Sequence, residues 1–194
     1  MTAVTPEPIT SFRRMDESTA EQWAVIGAET FKNQPRVAEQ VLSMLRGLEA
    51  ITDGFSTNQL IHCLQTATRA ERDGADTETI VASLCHDIGK LISVPNHPAI
   101  AAEILKPYVR PAVYEMIRVH QDFQGAHYYH HFGGDPNARE KHRDSLDSET
   151  FELAQKFADD WDQTSFDPDY DTLPLEHFEP MVREVFARSK SPIG

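Results

Sequence analysis

The sequence is short of cysteine, of positive charge and of long apolar runs, and each shortage excludes a class of protein. Two cysteines in 194 residues are too few for a disulfide-stabilised secreted scaffold. Lys and Arg number 18 against 31 Asp and Glu, which gives a formal net charge of -13. A field of this sign repels polyanions, so nucleic acids and anionic membrane surfaces are not expected as partners.

No stretch of the sequence approaches the roughly 20 apolar residues that a membrane span needs. The N-terminal sequence MTAVTPEPITSFRRMDE has no apolar signal-peptide core, which predicts a cytoplasmic protein. Cys63 and Cys85 are then expected to be reduced thiols that fill buried space. The chain length predicts one domain at 18–188, with an N-terminal extension at 1–17 and a C-terminal tail at 189–194.

Apolar residues recur at helical spacing along most of the chain, and no segment alternates as a strand would, so the predicted class is all-α. Residues 125–147 are rich in aromatic, glycine, histidine and charged residues and predict a long loop of the active-site type with short helical pieces. Helices are predicted at 18–32, 36–50, 111–120, 149–161 and 179–187. Three further helices are predicted: one from Asn58 to the turn RDGAD, one from Asp76 or Thr77 to His86 and Asp87, and one that starts at Pro98.

The segment SLCHDIGK places His86 and Asp87 at the C-terminal end of an apolar helix. Neighbouring side chains on a helix diverge by about 100°, so the two can reach one point only where the helix ends. A single histidine here would usually be an ordinary core residue. His62, His97 and His120, however, also fall at predicted helix ends or on buried faces. This joint pattern indicates a metal site, and the two oxygens of Asp87 allow it to hold two ions.

The order of these residues resembles that of the HD-domain superfamily, in which a first histidine, a His-Asp pair and a late aspartate hold a metal ion. The stretches HCLQTATRAERDGAD and IVASLCHDIGK carry the resemblance. It implies an all-α, single-domain HD-type helical bundle with the metal site between helices. The ligand set that it implies is His62, His86 and Asp162 for one ion, His97 and His120 for a second, and Asp87 as the bridge.

The late aspartate has three candidates near the end of one predicted helix: Asp159, Asp160 and Asp162. Asp162 is preferred because the WDQ run that contains it resembles the superfamily's pattern of Trp or Tyr followed by Asp. The other two remain as alternatives for the last ligand, or as acidic residues on the helix surface.

Four histidines and two aspartates, without a thiolate, suit iron or manganese. One group of HD proteins hydrolyses phosphate esters; another, which includes inositol oxygenase, activates O2 at a mixed-valent di-iron centre. The HCLQTA block, the GAD turn and the single-domain length are similar to the phosphonate-cleaving oxygenases of the second group. The resemblance implies two Fe ions, Fe(II)/Fe(III), O2 as co-substrate and cleavage of a carbon–phosphorus bond. A metal-dependent phosphohydrolase and a degenerate module that only binds an anion are the alternatives.

The expected substrate is a small α-hydroxyphosphonate, and one exchange bears on its amine. The aminohydroxyethylphosphonate enzymes have a Tyr and a Glu at the positions of Thr52 and Phe55. A quaternary ammonium has no N–H for a carboxylate and prefers an aromatic face. The exchange therefore favours (R)-1-hydroxy-2-(trimethylammonio)ethylphosphonate, which would give glycine betaine and phosphate. The second possibility is 2-amino-1-hydroxyethylphosphonate, which would give glycine and phosphate.

Lys90, one turn beyond His86, is expected to meet the phosphonate and to act in catalysis together with Asp87. The other predicted substrate contacts are Phe55, Asp53, Gln121, Gln124, Tyr128, Tyr129, Arg139 and Arg143, with Phe132 as a further aromatic. Packing of these aromatics onto the bundle is the alternative. Further histidines that could position the phosphonate or relay protons near neutral pH are His127, His130, His131 and His142. Whether the chain is a monomer or a dimer stays open.

Overall fold

The structure, a computed structural model, describes residues 9–33 and 36–188. The regular structure of these residues consists of α-helices, short 3-10 segments and one π-helical segment, and none of them lies in a strand, which confirms the all-α class. None of their helices is both long and apolar enough to cross a membrane. The helices are α1 (Ala20–Asn33), α2 (Arg36–Gly47), α3 (Gln59–Arg72), α4 (Thr77–Cys85), α5 (His97–Leu105), α6 (Pro111–Tyr128), α7 (Ser148–Lys156) and α8 (Leu175–Phe186).

Side-chain caps fix where three of these helices begin. The side chains of Asn58, Asp76 and Asp147 each accept a backbone N–H three residues ahead, at 2.9, 3.0 and 2.7 Å, and so start α3, α4 and α7. Gly74, at a φ of +79°, follows the end of α3 in the left-handed conformation that glycine adopts freely. The predicted starts of α3 and α4 are thereby confirmed.

The core lies where the apolar faces of α2 to α8 meet. Helix α3 packs on α4, α6 packs on both α5 and α7, and α8 covers α2 and α4. Cys63 and Cys85 are free, buried thiols within this core, as predicted. Burial raises the pKa of both thiols, so in the metal-free protein they remain protonated at neutral pH. The predicted tail at 189–194, and residues 1–8 of the predicted extension, lie outside the described residues.

The predicted end of α6 near His120 is wrong, because the helix continues to Tyr128. Gly125, taken as the start of the loop, lies inside the helix. A Cβ at this position would come within 2.5 Å of the Tyr129 ring, so glycine here lets that ring pack on the helix. The predicted loop consequently starts later and contains two 3-10 segments, Tyr129–Phe132 and Ala138–His142.

The last helix was also predicted too short, since α8 begins at Leu175 and not near 179. Pro180 lies inside it, although a proline lacks the N–H for an intrahelical bond and usually ends a helix. Leu175, Phe178 and Val182 are buried along one face on both sides of the proline. Burial of this apolar face therefore maintains the helix through Pro180.

Candidate metal centre and substrate cavity

Six histidine and aspartate side chains meet in the interior, and each residue is at most 5 % exposed. They come from five parts of the fold that are far apart in sequence. Their positions are His62 on α3, His86 and Asp87 directly after α4, His97 as the first residue of α5, His120 within α6, and Asp162 at the end of the segment Phe157–Asp162.

His86 and Asp87 are adjacent in sequence, yet both reach the cluster because the chain leaves α4 between them. His86 keeps right-handed helical angles, whereas Asp87 has φ -104° and ψ 3°. Gly89 then allows α5 to approach, since a Cβ there would overlap the backbone carbonyl oxygen of His97. Glycine is thus required at this position to bring His97 beside Asp87.

The segment Phe157–Asp162 is a π-helix that continues α7. Gln163 N–H donates to the carbonyl of Ala158, five residues back, at 3.1 Å. Short π-helical turns are rare and occur often at functional sites. Of the three candidate aspartates, the turn places only Asp162 in the buried cluster. Asp159 pairs with His127 and Arg139, and Asp160 is exposed.

Two groups of donors share the Asp87 carboxylate. Its Oδ2 lies 3.4 Å from His62 Nε2 and 3.3 Å from His86 Nε2. Its Oδ1 lies 3.1 Å from His97 Nε2 and 3.7 Å from His120 Nε2. Each carboxylate oxygen thus faces a different pair of histidines.

The first pair has a second carboxylate beside it. Asp162 Oδ1 lies 3.1 Å from His62 Nε2 and 3.5 Å from His86 Nε2. Burial would raise the pKa of Asp162, but the imidazoles of His86 and His62 outweigh it and hold the pKa far below its ordinary value. Burial would lower the pKa of His86, but Asp87 and Asp162 hold it well above its ordinary value. The carboxylates and imidazoles in this part of the site therefore stabilise each other's charged forms.

All four histidines point the same ring nitrogen towards the backbone. A carbonyl oxygen only accepts, so each Nδ1 carries a hydrogen, and in the neutral ring that binds a metal ion each Nε2 would turn its lone pair to the centre. The Nδ1 contacts are to the carbonyls of Ser165, Ser83, Val94 and Ile117 for His62, His86, His97 and His120, at 2.9, 2.8, 2.7 and 2.7 Å.

In this tautomer, the Nε2 lone pairs of the two histidines in each pair point towards each other. The Nε2 atoms of His62 and His86 are 3.1 Å apart, and those of His97 and His120 are 3.2 Å apart. Neutral rings of this tautomer cannot hydrogen-bond to each other. Asp87 Oδ1 and both carboxylate oxygens of Asp162 are also buried without a hydrogen-bond donor among the described residues. Divalent ions would satisfy these atoms, so the donor set fits metal.

A cavity of about 610 Å³ leads from this cluster to the surface. Several predicted substrate contacts line it, as do three residues that the sequence interpretation did not select. The predicted residues in the wall are Asp53, Phe55, Lys90, Gln121, Gln124, His127, Tyr128 and Phe132. The additional residues are Val94, Gln163 and Phe166. Gln59 lies outside the wall and accepts a hydrogen bond from Lys90.

Lys90 lies at the inner end of the cavity and is largely buried. Its Nζ is 2.6 Å from Asp87 Oδ2 and donates to Gln59 Oε1 at 2.9 Å. Burial would lower its pKa, but the Asp87 carboxylate raises it above the ordinary value, so the ammonium stays charged. The cavity therefore carries a fixed cation next to the candidate metal centre.

Arg139, Arg143 and Tyr129, which were predicted to contact substrate, are not in the cavity wall. Arg139 pairs with Asp159 at 2.8 Å and donates to the Phe123 carbonyl. Arg143 pairs with Glu140 at 2.6 Å, and Tyr129 packs on α6 at its glycine. Acidic partners hold both guanidinium groups: Asp159 lies in the π-helix, and Glu140 lies in the 3-10 segment Ala138–His142.

The four further histidines that were selected from the sequence divide into two sets. His127 lines the cavity and bonds to Asp159 at 2.8 Å. His142 bonds to Asp122 at 2.7 Å away from the cavity wall, and His130 and His131 are exposed. Of this group, only His127 could meet a ligand in the cavity.

Phe166 was missed because its position depends on contacts across the fold. It follows the π-helix in a polar stretch, SFDPDY, which the sequence interpretation treated as a turn. Its ring stacks on His62, with centroids 4.2 Å apart and planes 11° from parallel. A phenylalanine within a polar turn that follows the last predicted ligand is the sequence signal that could have indicated it.

The fold and the site define an all-α bundle built around a buried histidine and aspartate cluster. The sequence matches the HD domain family over residues 60–167, more than half of the 194-residue chain. The protein therefore belongs to the HD domain family, whose members bind divalent metals and act as metal-dependent enzymes. The match includes all six residues of the cluster. No curated protein matches the chain.

Proposed function

We propose that this HD-domain enzyme is a di-iron oxygenase that uses O2 to cleave the carbon–phosphorus bond of an α-hydroxyphosphonate. The proposed substrate is (R)-1-hydroxy-2-(trimethylammonio)ethylphosphonate, and the products are glycine betaine and phosphate. The observation that carries the proposal is the division of Asp87, whose two oxygens face separate histidine pairs. This arrangement supports two metal ions with a shared carboxylate.

The two ions would be held by unequal sets of residues. His62, His86 and Asp162 would hold one, His97 and His120 would hold the other, and Asp87 would contact both. The donors are imidazole nitrogen and carboxylate oxygen throughout, which suits iron. When bound, the iron pair would supply the redox chemistry that lets O2 react with the substrate.

The overall reaction balances without a separate reductant. Conversion of one hydroxyphosphonate to a carboxylate and phosphate releases four electrons, and one O2 accepts four. By stoichiometry, one oxygen atom enters the carboxylate and one enters phosphate, while the carbon–phosphorus and carbon–hydrogen bonds break. The protein must therefore orient the substrate and exclude water, and it needs no electron-donor partner.

The phosphonate end of the substrate is expected at Lys90. Its ammonium is charged and is held by Asp87 at the inner end of the cavity, so a phosphonate oxygen there would meet a cation. The amides of Gln121 and Gln124, one turn apart on the cavity side of α6, can donate to the remaining oxygens. These side chains would set the direction in which the substrate enters.

The quaternary ammonium end is expected at Phe55. One face of this ring stacks on Phe166, with centroids 4.5 Å apart, and the residue remains 49 % exposed at the cavity. The Lys90 ammonium lies 6.0 Å from the centroid of the Phe55 ring. Tyr128 and Phe132 supply further aromatic surface, and Asp53 supplies a negative charge. An aromatic wall of this kind attracts a trimethylammonium group by about 0.5–2 kcal/mol.

The test is an assay of anaerobically reconstituted iron protein with the trimethylated hydroxyphosphonate, before and after O2 is admitted. We expect phosphate and glycine betaine to appear only with O2. The primary-amine analogue, assayed in parallel for glycine, should turn over less well. Equal phosphate release without O2 would overturn the oxygenase proposal.

A metal-dependent phosphohydrolase acting on a small phosphate ester is the second candidate. The two-metal donor set and the Lys90 cation beside it also suit attack of an activated water on phosphorus. Such an enzyme would work anaerobically with Mn, Co or Mg, so the same assay with a phosphate ester separates the two. A module that only binds an anion is disfavoured because all six donors are present and buried together.

A further inference from the structure

Three aromatic rings are stacked in a row from the cavity wall to the candidate metal centre. Phe55 stacks on Phe166 with centroids 4.5 Å apart and planes 18° from parallel. Phe166 stacks in turn on the imidazole of His62, at 4.2 Å and 11°. Rings at these distances are in van der Waals contact. A displacement of the first ring towards the second would therefore be passed on to the imidazole by direct contact.

The backbone around Phe166 is fixed at several points. The carbonyl of Ser165 accepts from His62 Nδ1 at 2.9 Å, so consecutive residues hold the edge and the face of one imidazole. The Ser56 hydroxyl, next to Phe55, donates to the Phe166 carbonyl. The side chain of Gln65 bonds to Asp167 N–H and carbonyl at 3.2 and 2.6 Å. The stacked rings are thus carried by two loops that are bonded to each other.

The opposite side of the cluster has an aromatic residue in a different arrangement. Phe157 contacts His86 and His120 edge-on, with centroids 5.4 and 6.0 Å away and planes 70° and 73° from parallel. It is fully buried and does not line the cavity. Phe157 therefore touches two candidate ligands but has no contact with a molecule in the cavity.

We propose that Phe166 is a positioning residue that couples the cavity wall at Phe55 to metal binding at His62. The stack sets the plane of the His62 imidazole, and a quaternary ammonium on Phe55 stabilises the arrangement of rings in which His62 Nε2 is aimed at the centre. The identity of the cavity ligand as a quaternary ammonium rests on the proposed function. By linkage, metal at the centre must strengthen ammonium binding by the same factor.

The experiment measures metal binding and requires no turnover. Metal-free protein is titrated with Mn²⁺, and free Mn²⁺ is followed by electron paramagnetic resonance, with tetramethylammonium chloride or an equal concentration of potassium chloride. We expect tetramethylammonium to tighten Mn²⁺ binding about 5-fold in the natural protein. An unchanged or weakened affinity would overturn the coupling.

Substitutions at Phe166 and Phe157 test whether the stacked rings cause the response of Mn²⁺ affinity to tetramethylammonium. Phe166→Leu keeps an apolar side chain but removes the ring, and it should weaken Mn²⁺ binding about 10-fold and abolish the response to tetramethylammonium. Phe166→Tyr keeps the ring and should restore both properties. Phe157→Leu, the matched control, should keep the response even if it lowers thermal stability. Retention of the response in Phe166→Leu, or its loss in Phe157→Leu, would contradict the assignment.

These measurements and the oxygenase assay can fail independently. The titration contains neither O2 nor phosphonate, so a protein that hydrolysed esters would still show the coupling. Conversely, the protein could pass the oxygenase assay while its Mn²⁺ affinity is unchanged by tetramethylammonium. That result would support the proposed function and refute the role of Phe166.

Discussion

Asp87 is the side chain on which the chemistry of the centre depends most. Its two oxygens reach four histidine nitrogens within 3.7 Å, and Oδ2 also pairs with Lys90 at 2.6 Å. The sequence predicted its bridging position from the end of an apolar helix and from the resemblance to HD proteins. The ion pair with Lys90 was not foreseen as such, although the three-residue spacing puts both on one turn.

Replacing Asp87 with Asn should remove one negative charge and the bridge together. We expect the reconstituted protein to lose at least one metal ion per chain. The metal-free protein should also be destabilised by about 3–5 kcal/mol, because Lys90 is left buried without its partner. Elemental analysis and thermal denaturation measure the two effects. Asp160→Asn, at an exposed residue nearby, should change neither; a full metal complement in Asp87→Asn would refute the bridging role.

The thiols of Cys63 and Cys85 give a prediction for pH. Burial raises the pKa of both above the ordinary value. A group whose pKa is raised by folding stabilises the protein fully below its unfolded pKa, about 8.5 for cysteine, and loses that contribution as pH rises further. Stability should therefore fall from pH 8.5 upward, and less steeply in Cys85→Ala. Iodoacetamide should not label the native protein at pH 8; rapid labelling there would show the thiols to be accessible.

Among the elements that place the donors, the starts of α3 and α4 could be predicted, whereas the π-helix could not. Asn58 and Asp76 cap α3 and α4 through local contacts, which a sequence displays directly. The π-helix that brings in Asp162 has no comparable local signal, because its extra residue is accommodated by packing across the fold. The choice among three aspartates rested on resemblance for that reason. The end of α6 was mispredicted because Gly125 serves a contact with Tyr129 and not a turn.

The approach of α5 to Asp87 can be tested at Gly89. In Gly89→Ala the new Cβ would overlap the His97 carbonyl, so the start of α5 must shift and His97 must move from the cluster. We expect about 1–3 kcal/mol of destabilisation and selective loss of the metal held by His97 and His120. Gly27→Ala is the control, because a Cβ there meets nothing within 4 Å. Two ions bound with unchanged affinity in Gly89→Ala would be the contrary result.

At the scale of the whole molecule, the sequence predicted the fold class, the six-residue cluster and much of the cavity wall, but it did not predict Phe166 or the positions of Arg139 and Arg143 outside the wall. Helical periodicity and the His-Asp motif depend on short segments. The placement of Arg139 depends on Asp159, in a different element, and that of Phe166 depends on residues a hundred positions away. A net charge of -13 fits a protein that binds cations at its centre and does not attract polyanions.

Metal should contribute visibly to the stability of the whole chain. A ligand that binds only the folded state at 100 times its Kd adds about 2.7 kcal/mol, and about 1 kcal/mol shifts the Tm of a domain this size by roughly 2–4 °C. We therefore expect removal of metal by a chelator to lower the Tm by about 5–10 °C and metal addition to restore it. Scanning calorimetry of the two forms measures this, and equal Tm values would argue against an occupied buried site.

The fate of the oxygen atoms tests the proposed reaction most directly. The measurement is mass spectrometry of the phosphate and glycine betaine formed by the iron-loaded protein under ¹⁸O2, with a parallel reaction in H2¹⁸O without O2. The proposed oxygenase would place label from O2 in the products and would form none when O2 is absent. Phosphate formed without O2 and labelled only from water would contradict it.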